Sequence, residues 1–105
     1  ITTKQWDLLE QFTQGLYDWN SKVNLISRKD IDQIVPNHII PSLSISQIKS
    51  FTHNEKIIDI GTGGGLPGVP LAILHPDAHF TLVDSNTKKM MVVQEIVTSL
   101  KLKNV

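Results

Sequence analysis

Residues 59–68 read D-I-G-T-G-G-G-L-P-G, with four glycines (61, 63, 64 and 65) inside five positions, directly after the β-branched run Lys56-Ile57-Ile58-Asp59-Ile60. Such a run ending in glycine reads as a buried strand. Residues 67–75 permit a short helix with Pro67 or Pro70 in its first turn, where a missing amide proton costs nothing. His75-Pro76-Asp77 reads as a turn, 79–84 as a second strand and 86–100 as an amphipathic helix. Strand, glycine turn, helix, strand, helix is a βαβ unit, the building block of a doubly wound α/β sheet. The glycine run then falls at the carboxyl edge of that sheet, where open α/β folds bind ligands. Two strands are too few for a stable sheet of this kind. Asn104-Val105 reads as the approach to another strand, so the chain is expected to be the front part of a longer protein. Ile1 in place of an initiator Met points to an incomplete or processed start.

Three ligands compete for the glycine turn. A phosphate loop of the G-x-x-x-x-G-K-[ST] type fails, because Val69 follows Gly68 where lysine must neutralise phosphate charge. Gly63-x-Gly65-x-x-Gly68 satisfies the dinucleotide pattern literally, but its register is wrong. The first glycine of that pattern makes the tight turn directly off the strand. Gly61 holds that place, and counting from it puts Leu66 at the last glycine position. Asp59 would also set a carboxylate beside a pyrophosphate, where like charges repel. S-adenosylmethionine has no phosphate and carries a sulfonium and an ammonium. Asp59-x-Gly61-x-Gly63-x-Gly65 runs off the strand in register, with a carboxylate placed to attract the cationic methionine end. Glycines admit a ligand against the backbone with no Cβ in the way. Asp84, 25 residues beyond Asp59 at the end of the next strand, is placed to accept bonds from both ribose hydroxyls. Thr62, Leu66 and Ser85 stand beside these residues and complete the candidate cofactor set. An NAD-dependent oxidoreductase domain and a non-catalytic nucleotide-binding module remain as alternatives.

The first 52 residues carry a different period. Trp6, Leu9, Phe12, Leu16 and Trp19 recur at spacings of three and four, which predicts an amphipathic helix over 3–20 with the three aromatic residues in the core. Asn20-Ser21 signals its end. Residues 22–27 read as an irregular connection, and Ser27 with Asp30 resembles a capping box opening a second helix near Asp30. Pro36 and Pro41 interrupt that helix, predicting two short helices or a kinked one. The domain division is therefore a helical extension over 1–52 and the first part of a cofactor-binding domain over 53–105.

Composition narrows the class. The 105 residues are 40% apolar and 19% charged, an ordinary globular balance that can bury a small core. The chain has no cysteine, which excludes a disulfide scaffold, a thiol nucleophile and Cys-ligated metal, and fits a cytoplasmic protein. Ten Lys/Arg balance ten Asp/Glu, so bulk charge adds no support for nucleic-acid binding, although a local basic face is compatible with it. The four histidines lack metal-ligand spacing, no apolar run reaches membrane-span length and the first residues do not read as a secretory signal.

The segments W-N-S-K-V-N-L-I-S (19–27), H-I-I-P-S (38–42), D-I-G-T-G-G-G-L-P-G (59–68) and H-F-T-L-V-D-S-N-T-K-K (79–89) resemble the glucose-inhibited division protein B family, in consistent order over nearly the whole chain. The resemblance implies a bacterial methyltransferase that makes 7-methylguanosine in small-subunit ribosomal RNA. It implies a Rossmann-like S-adenosylmethionine-dependent fold with a helical N-terminal extension, here truncated, and a fragment without activity of its own. Asn24 and Arg28, on the connection after the first helix, lie where the family faces RNA. Lys88 and Lys89, just past the second strand, are placed to contact phosphate. Two positions depart from the family pattern: Asn37 replaces an arginine and Pro41 an aspartate, so no role is carried to His38 or Ser42. The ring nitrogen of guanine has a free lone pair, so methyl transfer to it needs no general base, and no catalytic residue is nominated.

Overall fold

The computed structural model describes residues 1–27 and 29–105. Helix α1 (Thr3–Asn20) is followed by a 3-10 turn (Ile31–Gln33), a π-helical turn (Val35–Ile39) and α2 (Ile40–Ile48). Strand β1 (Lys56–Ile60), α3 (Gly68–Leu74), β2 (His79–Val83) and α4 (Thr87–Ser99) complete the order. The two strands pair in parallel, Lys56 opposite His79 and Ile60 opposite Val83. The fold is thus mixed α/β with a two-stranded parallel sheet.

Helix α1 begins on a capping box that the sequence carries as Thr2-x-x-Gln5. Thr2 Oγ1 accepts from the Gln5 amide at 3.1 Å, and Gln5 Oε1 accepts from the Thr2 amide at 2.9 Å. Its apolar stripe buries Leu9, Phe12 and Leu16 but not its ends. Trp6 is 55% exposed and Trp19 half-buried, which corrects the expectation that all the aromatic residues of this stripe are core. The stripe is wider than the surface that α3 and α4 offer it. The expected capping box at Ser27 does not form: Asp30 stands at the N-cap of the 3-10 turn with no side-chain cap bond. Pro36 and Pro41 occupy first-turn positions of the π and α segments, where the absent amide proton is tolerated. The region is one continuous helical path whose period changes from 3-10 to π to α, rather than two separate short helices.

One apolar core joins both halves of the chain: Leu9, Phe12, Leu16, Leu25, Ile26, Ile34 and Ile39 pack with Val69, Ile73, Val92, Val93, Ile96 and Val97. A second cluster of Leu71, Ala72, Ala78 and Phe80 lies between α3 and β2. Strand β1 is not buried as its composition suggested. Ile58 is 63% and Ile60 82% exposed, because the sheet covers only one of its faces and one of its edges among the described residues. Asn104 instead is buried: its side-chain amide reaches the carbonyls of Ala72, His75 and Ala78, each at 3.0 Å, and its own carbonyl accepts from the Phe80 amide at 2.7 Å. That polar clamp fixes the end of α3 and the start of β2, and it ties the last residues to the edge of β2.

The turn after α1 is held by one side chain. Asn20 Oδ1 accepts from the amides of both Leu25 and Ile26 at 2.9 Å, and both of those residues are buried. Removing the acceptor leaves two amides without a partner at the core boundary. Asn20→Ala in the full-length protein is expected to cost about 1–3 kcal/mol. Denaturant melts check this, and an unchanged midpoint would show that the turn is held by packing alone.

Candidate functional site

The glycine turn spans the gap between the carboxyl end of β1 and the start of α3, and four sets of bonds shape it. Gly61 and Thr62 both donate their amides to the Val83 carbonyl, at 2.7 and 3.1 Å, tying the turn to the end of β2. Thr62 is 2% exposed, and its carbonyl accepts from the amides of Gly65 and Leu66 at 3.0 and 3.1 Å. Asp59 Oδ2 accepts from Thr62 Oγ1 at 2.7 Å and from the Gly68 amide at 3.0 Å. Asp84 Oδ2 accepts from the Gly63 amide at 2.8 Å, and its Oδ1 from the Asn86 amide at 2.8 Å. The two aspartates singled out in the sequence therefore grip the same loop from two strand ends.

The glycines divide into two kinds. Gly61 and Gly63 have φ of +75° and +57°, and a Cβ on either would meet open space. These positions require glycine for backbone conformation, and the volume beside them is free for a ligand. Gly65, Gly64 and Gly68 meet the protein itself. A Cβ on Gly65 would press on Val69 Cγ2 at 2.9 Å, and one on Gly64 would touch Leu16 Cδ2 and Leu25 Cβ at 3.4 and 3.5 Å. A Cβ on Gly68 would collide with Leu82 Cδ2 and crowd Asp59 Oδ2. Close approach to the backbone is thus seen at Gly65 and Gly68, where the approaching atoms belong to the fold, while nothing stands within 4 Å at Gly61 and Gly63. Gly68 has a structural role that pattern matching overlooked, whereas a Cβ at Gly64 would sit at ordinary contact distance. The signal was present for Gly68, which opens α3 beneath a large β2 side chain.

The remaining candidates are distributed around this edge. Leu66 is half-buried and packs on the main core, and the side chain of Thr62 is turned inward to Asp59. Ser85, Asn24 and Lys88 are exposed, and Lys89 is half-buried in the first turn of α4, its amide held by Asn86 Oδ1 at 3.0 Å. Arg28 lies outside the described residues. Asn37, at the position that departs from the family pattern, donates to Asp30 Oδ1 at 3.3 Å. His38 Nε2 is buried 3.4 Å from Asp30 Oδ2 without hydrogen-bond alignment, and the Ser42 hydroxyl donates to the His38 carbonyl at 2.7 Å. Among the described residues no group of three His, Cys, Asp or Glu is placed to hold a metal ion, and no helix is long and apolar enough to cross a membrane.

The geometry defines a class: an α/β protein whose glycine turn and two strand-end carboxylates share one sheet edge beside free space. A profile of the family described as rRNA small subunit methyltransferase G, labelled GidB, matches residues 5–105, and the chain belongs to that family. This is the glucose-inhibited division protein B family of the sequence resemblance. The chain is 49% identical over all of its 105 residues to the ribosomal RNA small subunit methyltransferase G of Christiangramia forsetii, covering 50% of that protein. It is 51% identical over its whole length to that of Flavobacterium johnsoniae, again over 50% of the relative, and 50% identical over 94% of its length to that of Chlorobium chlorochromatii. The chain spans about half the length of the curated relatives it matches.

The Asp84 carboxyl is held below the ordinary aspartate range, first by the Asn86 amide and then by the Gly63 amide, with the Lys89 ammonium adding to both against partial desolvation. A depressed native value makes the anchor complete above the unfolded aspartate value, about 3.9, and lost as pH falls through the lower native one. The Gly63 amide resonance is expected to shift with the Asp84 carboxyl in an acid NMR titration, and Asp84→Asn to abolish that inflection. A Gly63 amide that ignores the carboxyl titration would contradict the bond.

Proposed function

We propose that the protein carrying this chain transfers a methyl group from S-adenosylmethionine to a guanine ring nitrogen of small-subunit ribosomal RNA, giving 7-methylguanosine. Residues 53–105 form the first part of a Rossmann-like cofactor domain in this reading, and residues 1–52 its helical extension. The observation that carries it is the open backbone at Gly61 and Gly63 between two carboxylates, in a chain of this family.

The residues fit a cationic nucleoside. Asp59 uses Oδ2 within the loop, and its Oδ1 makes no hydrogen bond among the described residues, leaving negative charge for an ammonium or an ordered water. Each Asp84 oxygen accepts one amide and keeps lone-pair capacity for a ribose hydroxyl. Gly61 and Gly63 would line the ligand with backbone, Gly65, Thr62 and Leu66 would hold the loop's shape behind them, and Ser85 would stand at the ribose end. Bound there, S-adenosylmethionine supplies a methyl group on a sulfonium, ready for in-line displacement. The accepting ring nitrogen needs no deprotonation, so the chain's task is to orient and to exclude competing contacts, from which about 7–11 kcal/mol of barrier lowering is accessible. Asn24, Arg28, Lys88 and Lys89 serve in this reading as contacts to the RNA backbone, with the ribosomal subunit as partner and the cytoplasm as the place of action.

Calorimetric titration of the full-length protein with S-adenosylmethionine and with NAD separates this reading from a dinucleotide oxidoreductase: the former alone should bind. Methylation of ribosomal RNA from a strain lacking the enzyme separates it from a non-catalytic module, and cofactor binding with no methyl transfer would favour the module. Asp84→Ala is expected to weaken S-adenosylmethionine binding roughly tenfold, through the ribose contacts and the freed Gly63 amide. Unchanged affinity in the folded variant would remove Asp84 from the site.

A further inference from the structure

A groove of about 690 Å³ runs between the end of α1 and the outer face of α4, lined among others by Trp19, Val23, Lys88, Met91 and Glu95. Its floor is aromatic and thioether surface: Trp19 is half-buried, and Met91 is 65% exposed on the helix. Two ammonium groups border it, Lys88 on the first turn of α4 and Lys22, whose Nζ stands 5.3 Å from the Trp19 ring centroid. One carboxylate, Glu95, shares the lining. The groove starts at Thr87, three residues beyond Asp84, so it leaves the same sheet edge that carries the glycine turn. Lys89, next to the groove's lysine, is close enough to Asp84 to lower its carboxyl.

We propose that this groove is a stacking subsite for an unpaired base of the RNA substrate, with the base against Trp19 and Met91 and its flanking phosphates on Lys22 and Lys88. The inference rests on the methyltransferase reading and gives it a place for RNA outside the reacting nucleotide. A flat apolar floor with a cationic rim matches the two parts of a nucleotide, a π-face and a phosphate, and tolerates any base. Lys22 already lies over the indole, and on binding it can leave the ring for a phosphate while the base takes its place. Carboxylates of an acidic peptide would satisfy the lysines and leave the indole uncovered, whereas a nucleotide carries its flat group and its charge together.

The test uses the full-length protein and a labelled single-stranded RNA of about ten nucleotides and mixed sequence, read by fluorescence anisotropy at several salt concentrations. Trp19→Ala is expected to weaken binding about tenfold. Because Trp19 also packs on the core, Met91→Glu provides a surface variant that places a carboxylate in the groove without touching the interior, and a similar loss is expected from it. Lys88→Gln should lower the slope of log affinity against log salt by about one. Calorimetry should find S-adenosylmethionine affinity unchanged in Met91→Glu. Wild-type RNA affinity in Met91→Glu and Lys88→Gln overturns the subsite while leaving the cofactor site standing. Equal binding of an abasic ribose-phosphate strand, or of an acidic peptide matched in charge, overturns it as well.

Discussion

The carboxylate of Asp59 is the interaction around which the rest of the chain is arranged. Its Oδ2 receives a hydroxyl and an amide, so one side chain at the end of a strand sets both the turn and the start of the helix after it. Hydrogen bonds to a charged acceptor are the stronger kind, which suits a loop with little side-chain packing of its own. Asp84 repeats the device one strand later, reaching across to Gly63. Two charges of like sign at one sheet edge are tolerable because each is met by hydrogen-bond donors, Asp59 within its own loop and Asp84 from its own loop and the glycine turn.

This arrangement changes the meaning of the glycine pattern. A pattern of repeated glycine followed by acid invites the view that every glycine faces a ligand. Only Gly61 and Gly63 border open space, while Gly65 and Gly68 are pressed by Val69 and Leu82 and Gly64 lies at ordinary contact distance from Leu16. The backbone's freedom is used at Gly61, Gly63 and Gly65, and its thinness at Gly65 and Gly68.

The regular elements were legible from the sequence because their signals are local. The stripe of α1, the β-branched run of β1 and the amphipathic pattern of α4 each lie within a few turns of chain, and the structure reproduces them within a residue. What escaped notice depends on partners far along the chain. Asn20 reads as a helix stop, yet its work is to hold Leu25 and Ile26. Asn104 reads as the lead-in to a strand, yet its side chain closes the end of α3, 26 to 32 residues away. The exposure of Trp6 and Ile60 was illegible for the opposite reason: periodicity reports which face is apolar, and only the neighbours decide whether that face is covered. At the candidate site, the positions of Asp59 and Asp84 on adjacent strand ends followed from spacing, whereas the inward turn of Thr62 required three dimensions.

A Cβ at Gly64 would stand at ordinary contact distance from Leu16 and Leu25, so the helical half of the chain lies directly against the glycine turn. The helical arm is thus the floor on which the loop rests. A chimera that carried D-I-G-T-G-G-G-L-P-G onto a different arm would inherit the letters of the loop without its foundation.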